Sequence, residues 1–214
     1  MIIFLPNSIM IKLYAFATPN NLKPMIMLEE LGLEYELHAI NIRQGEQKTD
    51  EFQKLNPNAK VPVLIDGDMV LTESAAILVY LAEKHHQLLP QQNPQRARVF
   101  EQLFFHASGT SPAFGNAGFF QKLASEKVPF AIERFKSESE RLCRVLDDLL
   151  TAHTYVTGDE FSIADIAHFG WMWRAEFVGL DLNKFEHLSR WYQAVNARAS
   201  VQAAITKIAT LVKT

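Results

Sequence analysis

Glu73 and Ser74 stand side by side just ahead of Ala75-Ala76-Ile77-Leu78-Val79-Tyr80-Leu81, a run rich in helix formers. A carboxylate, a hydroxyl and the unpaired N–H groups of a helix start gather there. That combination suits an anionic head group with an amine beside it. The plainer reading has Ser74 capping the helix and Glu73 complementing its dipole. Upstream, Val61-Pro62 introduces the apolar run Val63-Leu64-Ile65. Asp66-Gly67-Asp68 is a turn signal, and Met69 to Leu71 is the return strand. A strand hairpin therefore delivers the chain to the helix that carries Glu73 and Ser74 at its start.

The order X-Pro, strand, turn, strand, Glu-Ser, helix resembles the glutathione-binding half of the glutathione transferase family, which has a thioredoxin-like fold. The resemblance implies a cis Val61-Pro62 bond, although cis X-Pro is a minority state in general. It implies that the Val61 backbone pairs with the cysteinyl backbone of glutathione. Glu73 and Ser74 would then hold the γ-glutamyl end.

Glutathione chemistry needs a thiolate, and a free thiol has a pKa of about 8.5. Each hydrogen bond to the charged sulfur is worth roughly 1.5–3 kcal/mol, so one or two donors make the thiolate dominant. In the family these donors come from the loop after the first strand. Here that loop offers Thr18, Asn20 and Asn21; Tyr14 reads as a packed strand residue. Thr18-Pro19-Asn20, the later Gln47 and the segment VPFAIERF at 128–135 together resemble the bacterial nu class. That resemblance implies Thr18 and Asn20 near the glutathione sulfur, with Gln47 and Arg134 on the peptide's carboxylates. Local alternatives stand beside each role. Thr18 and Asn20 are also turn formers, Gln47 also fits an exposed loop, and Arg134 also fits an ion pair with Glu138 at i+4. The middle segment HASGTSPAFGNAGFF departs from the nu pattern. Phe114, Phe119 and Phe120 there read either as a second-substrate pocket or as core.

These residues need elements to position them. The 214 residues, 48% hydrophobic, suffice for one large or two small cores. Ile11 to Phe16 alternates as a strand, and Ala17 to Asn21 reads as a loop. Leu22 to Leu31 reads as a helix with Pro24 in its first turn and Gly32 as its stop. Leu33 to Ile42 is a second strand, and Asp50 to Leu55 a short helix. The N-terminal half is thus a βαβαββα thioredoxin-like α/β domain over residues 10–87. Leu88 to Pro94 is a linker, and 95–214 is an all-α domain. Within it Gly109 to Gly118 reads as a helix break, either a kink or a site-facing loop. Ala131 to Leu150 is the clearest long helix. Phe161-Ser162-Ile163-Ala164-Asp165 is a capping box with Phe161 and Ile166 as its staple, a folding element and not a chemical one. The resemblance covers the chain from about Met10 to its end.

Composition narrows the rest. The net charge of −3 with no basic stretch argues against a nucleic-acid partner. One cysteine, Cys143, rules out an internal disulfide and a CxxC pair, and it reads as a buried hydrophobe. The histidines show no metal spacing. The opening MIIFLPNSIM lacks the features of a signal peptide, so residues 1–9 read as an extension with Met1 or Met10 as start, in a cytoplasmic protein without a membrane span. The expected function is a glutathione-dependent enzyme with glutathione as co-substrate and no metal. It would reduce disulfides with two glutathiones or glutathione disulfide, act weakly on small electrophiles, and form a homodimer. The rival is a non-enzymatic glutathione-binding or protein-interaction module of the same fold.

Overall fold

The computed structural model describes residues 10–212; the expected extension at 1–9 lies outside them. Strand β1, Ile11–Ala15, buries alternate residues Ile11, Leu13 and Ala15, as a strand covered on one face must. It pairs in parallel with β2, Tyr35–Ala39, and antiparallel with β3, Val63–Asp66. β3 turns through Gly67, at φ 62°, into β4, Met69–Leu71. The sheet order among the described residues is β2-β1-β3-β4. β2 is shorter than the Leu33–Ile42 run predicts, because only five residues find partners on β1.

Helix α1, Pro19–Glu30, crosses between β1 and β2. It starts three residues before the expected Leu22. Pro19 takes the first helical position, where its fixed φ and missing N–H are harmless. Pro24 consequently lies inside the helix and not in its first turn. The helix ends as expected at Gly32, φ 63°. Gly32 N donates to Glu29 O at 3.2 Å and Leu33 N to Leu28 O at 3.0 Å, the paired closure of a Schellman end. After the short α2, Asp50–Leu55, and the β3–β4 hairpin comes α3, Ser74–His85. Asp66 fixes the hairpin to α3: it accepts from Tyr80 Oη at 3.0 Å and pairs with Lys84 Nζ.

The second half is helical. α4, Gln95–Phe105, does not break at the glycines. It passes through a π turn at His106–Thr110 into α5, Ser111–Gly118, and through a second π turn at Phe119–Leu123. Of the two expected outcomes, a kink or a site-facing loop, the loop does not form and the rod continues through π turns, for reasons of packing. A Cβ at Gly115 would meet the Trp171 ring at 3.5 Å, and one at Gly118 would sit 2.0 Å from Phe177. The glycines make room for rings. Pro112 has no N–H to donate and would crowd a carbonyl one turn back, and the preceding π turn widens the helix there.

α6, Pro129–Leu150, buries Leu142, Cys143, Leu146 and Leu150. α7, Ile163–Met172, is buried over all ten residues. α8, Ala175–Val178, α9, Glu186–Asn196, and α10, Ala199–Thr210, complete the domain. α1 joins the halves: it packs against α3, α7 and α10, and Glu30 takes Arg198 Nε at 2.6 Å and Nη2 at 2.8 Å.

The expected capping box is present at α7. Asp165 accepts Ser162 N at 3.0 Å on one oxygen, and Val156 N at 3.0 Å and Trp191 Nε1 at 2.9 Å on the other. Burial pushes its carboxyl up to about 6 against these donors, so it is ionised at neutral pH. Ser162→Ala removes a cap and should lower unfolding stability by about 1 kcal/mol. Asp165→Asn meets these three fixed donors with one amide N–H₂ end and one weaker, uncharged oxygen, and should lose at least about 2 kcal/mol. Urea unfolding of both variants checks the order, and equal losses would contradict the buried network.

Candidate functional site

A cavity of about 300 Å³ opens where the α1 start, the Val61-Pro62 turn, the α3 start and the first π turn meet. Asn20, Lys23, Val61, Pro62, Glu73 and Ser74 line one side; His106, Ala107, Ser111 and Pro112 line the other. Val61-Pro62 is cis, in agreement with the expectation. Glu73 takes the N-cap position of α3 without a side-chain cap bond, and Ser74 is the first helical residue. The plain capping role for Ser74 is therefore not what its hydroxyl does. It is buried and accepts from Lys23 Nζ at 3.4 Å.

Lys23 is the residue the sequence reading missed. It is 1% exposed, and its Nζ meets Asn20 Oδ1 at 2.8 Å and His106 Nε2 at 2.7 Å besides Ser74. Burial lowers its pKa to about 7, opposed by the Glu73 carboxylate nearby. Burial also holds His106 well below the ordinary imidazole value, with the Lys23 charge and His168 acting in the same direction. His168 stands edge-on to His106 at 5.2 Å and is lowered to about 3, by burial first and then by Lys23. Both rings are therefore neutral at pH 7. The only sequence signal for Lys23 was a lysine inside the apolar run Leu22 to Leu28.

Other expected residues are placed less uniformly. Thr18 caps the start of α1 by position, and its Oγ1 accepts from the Asn21 side chain. It does not line the cavity. Gln47 lies in a 3₁₀ turn, Glu46–Lys48, with its Oε1 buried and without a partner among the described residues. Arg134 is exposed on α6, 3.9 Å from Glu138, and lies outside the cavity lining. Of the three phenylalanines, Phe114 is core, packed edge-on to Trp171. Phe119 is exposed, and Phe120 stacks on Phe135 at 5.6 Å. Tyr14 stacks on His38 at 4.6 Å within the sheet, which agrees with its reading as a strand residue. Cys143 is fully buried, its thiol pushed up to about 12.

Comparison with known proteins agrees with this geometry. Residues 10–83 match the glutathione S-transferase N-terminal domain, and 123–199 the glutathione S-transferase C-terminal domain. The disulfide-bond oxidoreductase YghU of Escherichia coli is 38% identical over 210 residues, spanning 90% of this chain and 73% of that protein. A glutathione transferase family member of Pseudomonas fluorescens, solved with two glutathione bound, superposes with a TM-score of 0.87 at 35% identity, over 94% of this chain and 95% of that one. A glutathione transferase of Pseudomonas putida, solved with one glutathione disulfide per subunit, gives 0.86 and 35%, over 94% and 93%.

The buried lysine has a thermodynamic signature. In the unfolded chain Lys23 returns to its ordinary value of 10.5, while in the fold it sits at about 7. Between those values the unfolded state holds a proton that the native state lacks, so stability rises with pH across that window. Below it both states are protonated and the destabilisation is at its full extent. In Lys23→Met the slope of unfolding free energy against pH should fall by about one proton within the window. A pH series of urea unfolding curves measures this; parallel slopes in variant and parent would contradict it.

Proposed function

The chain belongs to the glutathione S-transferase family, and from that premise we propose that it binds glutathione in the cavity beneath α3 and uses the ligand's thiolate to reduce disulfides. The observation that carries this reading is the meeting of Asn20, cis Val61-Pro62, Glu73 and Ser74 in one cavity. Ser74 and Glu73 receive the γ-glutamyl end, and the Val61 backbone pairs with the cysteinyl unit. Asn20 supplies a donor to the sulfur. Thr18 stands at the start of the same helix, outside the cavity lining and with its oxygen engaged by Asn21, and is the weaker candidate for a second donor. Gln47 would meet a peptide carboxylate through its amide N–H groups, although it lies outside the cavity lining.

The thiolate of a first glutathione attacks one sulfur of the substrate disulfide. That S–S bond breaks, and the departing sulfur leaves as a thiolate and takes a proton. A second glutathione thiolate then attacks the mixed disulfide, giving glutathione disulfide and the second thiol. The attacking sulfur comes from the ligand, because Cys143 is buried and protonated. Two glutathiones in the Pseudomonas fluorescens relative and glutathione disulfide in the Pseudomonas putida relative fit this sequence of steps. A cytoplasmic setting fits a reaction that draws on reduced glutathione, and no described helix is long and apolar enough to cross a membrane.

A homodimer belongs to the same reading. Between α3 and α4 lies an apolar hollow of about 390 Å³ lined by Leu71, Val79, Phe100 and Leu103, and beside them Phe104 is 70% exposed. Burying such a face is worth about 25 cal/mol per Å², and a second copy is the occupant. Phe104→Glu should shift the protein to monomer in sedimentation equilibrium; an unchanged mass would reject this interface.

For the site itself, Glu73→Ala and Ser74→Ala should each weaken glutathione at least about tenfold, equivalent to about 1.4 kcal/mol. Thr18→Ala and Asn20→Ala should each slow disulfide reduction roughly tenfold. Cys143→Ala should leave turnover unchanged. Calorimetry and a disulfide-reduction assay read these outcomes. Unchanged affinity in both α3 variants would remove the site, and lost turnover in folded Cys143→Ala would assign the chemistry to the wrong sulfur. A bound thiol titrating near its free value of about 8.5 would favour a binding module over an enzyme.

A further inference from the structure

We propose that Lys23 is the positioning residue of the thiolate donor: it grips Asn20 by the side-chain oxygen, so that the Asn20 amide nitrogen is the end left to face the ligand sulfur. This rests on the glutathione reading above and extends it to a residue outside the expected set.

The argument is one of donor and acceptor inventory. Lys23 Nζ donates to Asn20 Oδ1 at 2.8 Å, and a lysine nitrogen in either protonation state has N–H groups to give. The amide nitrogen, with two donors, is the free end. His106 Nε2 stands 2.7 Å from the same nitrogen, with the ring tautomer setting which of the two donates. Ser74 Oγ, at 3.4 Å, accepts and so keeps its own O–H for the cavity. One buried amine thus turns two side chains donor-side out, one for a sulfur anion and one for a carboxylate.

The amine is itself held in place. A Cβ at Gly170 of α7 would stand 2.8 Å from Lys23 Cγ and 2.9 Å from its Cε. The bare glycine is what lets the lysine stem lie against α7. The charged and titratable groups facing the ammonium are Glu73 from the α3 N-cap, His106 from the π turn and His168 from α7. The two imidazoles are neutral, so Glu73 is the anion among them.

The test is a thiol titration of glutathione bound to the parent, Lys23→Met, Asn20→Ala and the double variant, followed by ultraviolet absorbance of the thiolate. Lys23→Met should raise the bound thiol's pKa by about one unit and slow disulfide reduction roughly tenfold. In the Asn20→Ala background the same substitution should add less than about a factor of two, because residues acting through each other are non-additive. A parental thiol pKa in Lys23→Met, or effects that multiply in the double variant, overturns the proposal. Should Lys23→Met fail to fold, Asn20→Asp in the parent decides. It keeps an oxygen for Lys23 and replaces the free donor by a second oxygen, so its thiol pKa should exceed that of Asn20→Ala. A value at or below that of Asn20→Ala overturns the proposal. Failure of the parent to bind glutathione would bring down both readings, while normal binding with an unmoved thiol profile brings down the lysine alone.

Discussion

Helix α1 has no wet face along most of its length: every residue from Asn21 to Leu28 is buried. A helix in that position cannot leave polar side chains to solvent, and a buried group without a partner costs about 1–3 kcal/mol or more. Two of the eight are polar. Asn21 turns back to Thr18. Lys23 has nothing to turn back to within its own apolar run except Asn20, so its remaining donors must be met from other elements. The start of α3 and the π turn supply them. The need to satisfy one buried ammonium thus brings three separate stretches of chain to one point, and the cavity lies at that point.

The same helix holds the two halves of the molecule together. It packs against α3 of the first half and against α7 and α10 of the second. The Glu30–Arg198 fork ties its far end to α10. α7 can approach closely because Gly170 has no side chain to hold it away. The site is therefore walled by both domains, with Asn20 and Ser74 from the first and His106 and Ser111 from the second. A site on rigid, doubly packed elements keeps its geometry without a ligand, and pre-organisation of that kind limits the ordering cost of binding.

How much of this could be read from the residues depended on distance along the chain. The capping box at Ser162 and Asp165 was legible because its whole logic spans four residues. The β3–β4 hairpin was legible for the same reason, and with it the approach to Glu73 and Ser74. The start of α1 was misjudged because Pro19 and the two asparagines look like breakers, while the first helical turn tolerates them. The glycines after His106 left a kink and a loop both open, because a local rule cannot see Trp171 and Phe177 arriving from about 56 to 59 residues away to fill the space. Lys23 escaped notice altogether. Its partners Ser74 and His106 lie 51 and 83 residues off, and nothing short-range distinguishes a buried lysine from one that reaches for water.

The two π turns have a consequence for the length of the chain. Each holds one residue more than an α turn would need, and each residue advances a helix by about 100°. The face presented by 111–118 is therefore out of phase with the one that Gln95–Phe105 would present if continued as plain α-helix. Losing a residue between 106 and 110 would not break the rod; it would relax into ordinary helix and rotate everything downstream. Pro112 and Ser111 would swing out of the cavity wall, and Gly115 and Gly118 would no longer lie under their rings. In this stretch the residue count is as constrained as the residue types, so insertions and deletions should be rarer here than substitutions.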